Sequence, residues 1–250
     1  MSRNQIAYAV LKHLSITGTR TVRAVTRLYG PRPNWQILVT REAVREVATC
    51  YGPVLTFGDV AHQHYGHQHW IRSPSALADH AYLQDAIERL QGEGYELVEY
   101  EYKRGPTGQP TAQVIRARMR APTQILNGIV QDWGASITYR PPASSALAPR
   151  EVGGHPWLYA RISGGGINLP MVRRLHKTHT HDIDTWRTPL LIATPDERPM
   201  RSYLRSLEAA TTAAWERPPA VPVIARYHRL RVIEQPRPDL IRRAGARRRD

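Results

Sequence analysis

The chain has 250 residues, 41% of them apolar, which suits one large or two small domains with a real core. Its 35 Lys and Arg outnumber 21 Asp and Glu, and the formal net charge of +14 makes a polyanion the expected partner, because neutralising phosphates releases their counterions. The single cysteine, Cys50, excludes an intramolecular disulfide, and no stretch approaches the ~18 consecutive apolar residues of a membrane span.

Nearly all the positive charge is arginine, since Lys12, Lys103 and Lys177 are the only lysines. Met1–Gln5 lead into a mixed polar and apolar segment rather than a signal peptide, so a cytoplasmic protein is expected. Residues 3–15 place Ile6, Ala7, Val10, Leu11 and Leu14 on one helical face. Gly18 ends that helix, and Thr19 can cap the next. Over residues 20–29, Val22, Val25, Leu28 and Tyr29 form an apolar side, and Arg20, Arg23 and Arg27 form a guanidinium side. "NWQILV", residues 34–39, predicts a strand. Thr40 then caps a predicted helix over 41–49 that buries Val44 and Val47, with Cys50 as a small core residue at its end.

"HQHYGHQHW", residues 62–70, holds four histidines in eight residues. Zinc sites need ligands converging from a fixed scaffold, usually with Cys or a carboxylate, so this Gly-interrupted run reads as a loop of solvated or nucleic-acid-facing histidines. Ser73-Pro74 starts a helix that runs to about Gln91 and buries Ala76, Leu83, Ile87 and Leu90, with His80 as a core histidine on the same face. "GYELVEYEYK" at 94–103 and "TAQVIRARM" at 111–119 predict a hairpin across the turn "GPTGQP". Residues 141–154 read as a long loop. Residues 156–163 read as a strand ended by Gly164-Gly165-Gly166, 170–178 as a helix and 188–194 as a buried strand. Thr194 and Glu197 offer a capping box for a helix to about Trp215, 221–233 a last strand, and 242–250 a basic tail. The pattern is α/β (α+β), alternating helix and strand around a mixed sheet.

Several stretches resemble a known family. "AVLKHLSITGTRTVRAVTRLYG" looks like an opening pair of helices. "WQILVTREAVREVATCYG" looks like a wing strand and the short helix after it. "SPSALADHAYLQDAIERL", "WLYARISGGG" and "TPLLIATPDERPMRSYLRSL" are similar to later helix and strand elements. In this order they resemble the winged-helix replication-relaxation family of plasmid and mobile-element proteins. The resemblance implies a winged-helix-like module over 1–55, a His-rich linker over 56–72, a mixed α/β domain over 73–235 and a basic tail over 236–250.

Two departures from the family pattern follow. A recognition helix of about a dozen residues is expected before the wing strand, yet only "PRPN", 31–34, stands in that space. The helix over 20–29 is therefore the expected reader, with Arg20, Arg23 and Arg27 on the groove or phosphates and Arg32 and Arg41 on adjacent phosphates, where the planar guanidinium fork can bind through two hydrogen bonds. The later sheet can look like that of a restriction-type nuclease, but the strand ending "RISGGG" offers neither the acid nor the lysine that such metal chemistry needs. Glu96, Glu99 and Glu101 read as a solvated strand face.

"LHKTHTHDID", 175–184, gathers His176, His179, His181, Asp182 and Asp184, with no second ligand cluster at a matching distance; it reads as a polar helix end and loop. "SGGGINLP" matches no phosphate-loop pattern and reads as a turn. Trp35, Trp70 and Trp133 either stack on unpaired bases or lie half-buried in the core. The expected function is non-enzymatic DNA binding, without metal or other cofactor, with RNA, a homodimer or a protein partner as further options. The alternatives are an interaction subunit of a nucleoprotein or defence assembly, and a metal-dependent hydrolase or nuclease built on the two histidine clusters.

Overall fold

A computed structural model describes residues 2–61, 73–104, 108, 110–120, 155–179, 190–196, 198–199, 201–203 and 230–234. Helix α1 (Arg3–Thr17) opens with a capping box between Ser2 and Gln5 and buries Ala7, Val10 and Leu14. It stops at Gly18, whose φ of +74° suits glycine and whose missing Cβ leaves room for the His80 ring. Strand β1 (Thr19–Thr21) comes next, and α2 (Val22–Tyr29) begins only after it. Thr21, not Thr19, caps α2 by accepting from Ala24 N at 3.1 Å. Arg20 therefore lies on a strand rather than on the helix predicted over 20–29.

The next two elements reverse the prediction. A 3₁₀ turn (Arg32–Asn34) leads into helix α3 (Gln36–Thr40), and there is no strand at 34–39. Pro31 and Pro33 fix the backbone of the turn. Trp35 is fully buried and donates its indole N–H to the Gly30 carbonyl, while Leu38, three residues on, faces the same core and Ile37 is exposed. A spacing of three with an exposed residue between is helical.

The predicted helix at 41–49 is strand β2 (Val44–Thr49), paired antiparallel with β3 (Gly52–Phe57). Val44 and Val47 are three apart, which imitates a helical face, but on a strand an odd spacing points to opposite sides. Val44 packs under α1–α3, and Val47 packs against the cluster of the long helix described next. Cys50 is exposed in the hairpin turn and is not a core residue. The sheet order is β1-β3-β2. The order α1-β1-α2-α3-β2-β3 is compatible with the expected winged-helix-like module, and α3, only five residues long, follows the 3₁₀ turn in the space where the sequence pattern offered no further helix.

Helix α4 (Pro74–Gly92) has ten buried residues of 19, more than one face can supply, because it is covered on two sides. Tyr51 and Val54 of the three-stranded sheet pack on one side, and Ala117, Met119, Leu158, Leu191 and Ala193 of a second sheet pack on the other. The second sheet has the order β4-β5-β6-β7-β8, with β4 (Glu96–Arg104), β5 (Pro110–Arg120), β6 (Trp157–Ala160), β7 (Leu190–Thr194) and β8 (Leu230–Glu234). The β4–β5 and β5–β6 pairs are antiparallel, and β6–β7 and β7–β8 are parallel, so the sheet is mixed. Helix α5 (Leu169–Thr178) joins β6 to β7 and covers the far face of this sheet through Val172, Leu190, Ile192 and Tyr203. The layers run helices α1–α3, three-stranded sheet, α4, five-stranded sheet, α5.

Asp79 of α4 ties the turn after β6 in place. Its carboxylate accepts from Ile162 N at 2.9 Å, Ser163 N at 2.8 Å and the Ser163 hydroxyl at 2.7 Å. The Thr194 hydroxyl donates to the Asp196 carbonyl and accepts from Ile167 N, and the Asp196 carboxylate accepts from Arg198 N. Glu197, the His-rich run at 62–70, the loop at 141–154, residues 204–215 of the predicted helix, residues 221–229 of the predicted last strand, the tail at 236–250, Trp70 and Trp133 lie outside the described residues.

Candidate nucleic-acid interface

Residues 1–61 carry eight Lys and Arg against three Asp and Glu. Their arginines divide into two groups. Arg20 is 1% exposed. Its Nη2 donates to Glu88 of α4 and lies 3.8 Å from Asp85 of the same helix. Glu88 also accepts from Arg27 Nη2 at 2.7 Å, so one carboxylate joins β1 and α2 to α4. Asp85 accepts from the Tyr51 hydroxyl at 2.9 Å, which adds the wing to the same cluster. Arg20 is thus a corrected assignment: a guanidinium enclosed by carboxylates cannot reach a groove. Its burial has a physical logic, since a desolvated cation is tolerable only when paired. Burial pushes the Asp85 carboxyl above its ordinary range, opposed by the Arg20 charge and the Tyr51 hydrogen bond.

Arg27 remains 62% exposed, but its charge is answered by Glu88. Arg32 is exposed as well, yet it is bridged to Glu46 at 2.9 Å and donates through Nε to Gln36 at 2.6 Å. Arg23, on α2, and Arg41, directly after α3, are exposed and have no ion pair among the described residues. Of the five predicted contacts, these two are the cations left for an external anion. Ile37 and Thr40 are the exposed side chains of α3 beside Arg41. The stacking role considered for Trp35 is excluded by its complete burial.

His80 is a core histidine. Its Nε2 lies 3.2 Å from Gln84 Nε2, and the Tyr100 hydroxyl donates to Gln84 Oε1 at 3.0 Å. Because Gln84 uses its carbonyl to accept, its amide donates to His80, and the imidazole is neutral. Burial first, and then the Arg20 charge, lower its pKa to about 4.

Two members of the second histidine cluster are also buried and engaged. His176 Nδ1 hydrogen-bonds the Tyr203 hydroxyl. His179 Nε2 lies 2.7 Å from the Tyr159 hydroxyl and 2.9 Å from Arg116 Nη1. His181, Asp182, Asp184 and His62–His69 lie outside the described residues. Among the described residues no three metal-ligating side chains converge.

The second sheet disposes of its arginines differently. Glu96, Glu99 and Glu101 of β4 pair across strands with Arg120 at 2.9 Å, Arg118 at 3.2 Å and Arg116 at 2.6 Å. Arg116 also lies 4.0 Å above the Trp157 ring. In each of these pairs the two charges offset one another. On α5, by contrast, Arg173, Arg174 and Lys177 are all exposed.

Comparison of the chain with models of known protein families, with curated proteins and with solved structures finds no match in any of the three.

Arg20→Ala leaves Glu88 and Asp85 without their buried counter-ion and is expected to lower the unfolding free energy by ~3–5 kcal/mol, whereas Arg27→Ala, at a largely exposed pair, costs ~1 kcal/mol or less. Urea denaturation of the two variants checks this, and equal effects contradict it. The depressed His80 pKa fixes a sign with pH. The unfolded chain takes up the proton near pH 6.5 and the folded chain only near 4, so this stability is full above 6.5 and drains away as pH falls through that window. Denaturation midpoints recorded from pH 7 to 4 should fall less steeply in His80→Gln than in the parent chain; parallel curves would remove His80 from the account.

Proposed function

We propose that the protein is a non-enzymatic, cytoplasmic DNA-binding protein that engages duplex DNA through the helical side of its winged-helix-like module. The observation that carries this reading is the pair Arg23 and Arg41, exposed on α2 and beside α3 with no ion pair among the described residues. Arg32 flanks α3 and exchanges Glu46 for a phosphate only at a cost. Arg20 and Arg27 belong to the α4 clamp. The element order also supports membership of the winged-helix replication-relaxation family, which forms part of the same proposal.

The chemistry of α3 limits what is read. Its helix is short, Gln36 is engaged by Arg32, and Ile37 and Thr40 are its outward side chains. No exposed Asn or Gln on α3 is free to grip an adenine edge. Recognition is therefore dominated by phosphate contacts, which position a protein on DNA without specifying sequence.

A second reading, docking on a protein partner or a second copy, draws on α1. Tyr8 and Ile16 are 64% and 68% exposed and lie two turns apart on that helix.

Replacing Arg23 and Arg41 together by Ala should reduce the slope of log K against log salt by about 1.8, at ~0.9 per phosphate contact, with thermal stability unchanged. Fluorescence anisotropy with a labelled duplex across a salt series measures this, and an unaltered slope removes the assignment. The same titration with single-stranded DNA and with RNA separates duplex binding from an RNA-directed role.

A further inference from the structure

The sequence between Glu151 and Asp182 contains no acidic residue, but it contains Arg161, Arg173, Arg174 and Lys177. Within α5, Val172 and His176 turn inward to the sheet, and Arg173, Arg174 and Lys177 turn outward. Arg173 and Lys177 stand one turn apart, and Arg174 lies beside them, so the three cations form one face. Like charges at this spacing repel one another. Lys177 alone sits in the last turn, where the helix dipole favours a cation. Arg173 and Arg174 have no such compensation. None of the three has an ion pair among the described residues. The contrast with β5 is sharp, because there each outward arginine meets a glutamate of β4.

The position of this face matters as much as its charge. Alternate residues of β7 pack in opposite directions: Leu191 and Ala193 toward α4, Leu190 and Ile192 toward α5. The winged-helix-like module lies beyond α4, and α5 lies on the other side of the second sheet. Four layer spacings of ~10 Å separate the module's helices from α5, roughly 40 Å in all. The exposed cations of the module and those of α5 therefore belong to layers at opposite ends of the stack.

We propose that the outward face of α5, through Arg173, Arg174 and Lys177, is a second binding surface for duplex DNA, and that one copy of the chain bridges two duplex segments. This inference rests on the DNA-binding reading of the module. Phosphate oxygens accept from the two guanidinium groups and the ammonium, counterions are released, and no base edge is read.

The test uses the full chain, a biotinylated duplex on streptavidin beads, and a fluorescent second duplex in solution. The parent protein should retain the fluorescent duplex on the beads. The Arg173→Gln/Arg174→Gln/Lys177→Gln variant should retain at least tenfold less, yet bind a single duplex in a gel shift to within about twofold of the parent. A charge-matched control, Arg89→Gln/Arg118→Gln/Arg120→Gln, removes three cations that already face glutamates and should bridge as the parent does. Bridging that survives in the α5 variant overturns the proposal, as does equal loss in the control or capture of RNA but not duplex DNA. Parent protein that binds one duplex but never holds two also overturns it while leaving the module's role intact. Failure to bind even one duplex instead removes the DNA-binding reading itself.

Discussion

The arrangement of the whole molecule depends on one enclosed guanidinium. Arg20 on the edge strand β1 is removed from water and must be neutralised, and the carboxylates that do so, Glu88 and Asp85, both belong to α4. That requirement fixes where the small sheet sits on the long helix. Other contacts follow the same seam. The Tyr51 hydroxyl donates to Asp85, and its ring meets Tyr82 edge-on at 5.0 Å. Gly18 lies against His80 with no space for a side chain. The wing hairpin is consequently packed down on α4 through Tyr51 and Val54, and the helical side of the module is the side left toward solvent.

This seam changes what a net charge of +14 means. Arginine here performs two tasks that composition does not separate. Arg20, Arg27, Arg116, Arg118 and Arg120 are structural cations, each placed opposite a glutamate on another element. Arg23, Arg41, Arg173, Arg174 and Lys177 are exposed and have no such partner among the described residues. Among the described residues, the module's helices and α5 therefore both offer exposed cations to a polyanion.

Much of the fold is legible from the sequence, for identifiable reasons. Helix α1 shows a clean apolar face, α4 announces itself through Ser73-Pro74, and the β4–β5 hairpin alternates strongly on either side of a Gly/Pro turn. Residues 31–49 mislead because the small sheet is buried on both faces. Val44 and Val47 serve two different cores, which removes the polar alternation of a half-exposed strand and leaves a spacing of three that imitates a helix. In the segment before it, the β propensity of Trp35, Ile37 and Val39 gives way to the burial of Trp35 with Leu38. The fate of Arg20 was not legible at all. Its spacing to Arg23 and Arg27 fits a helix face, and Thr19 and Thr21 are both acceptable caps. What decides is Glu88, 68 residues away, and only the fold brings the two together.

The most direct test of the division between structural and ligand-facing arginines is a single NMR titration of the full chain, with arginine side chains labelled with nitrogen-15 and duplex DNA added in steps. The account predicts a slowly exchanging Arg20 Nε–H signal that does not move, together with Arg23 and Arg41 signals that shift and regain their free positions when salt is raised. An Arg20 signal that shifts with DNA while those of Arg23 and Arg41 stay in place would contradict it.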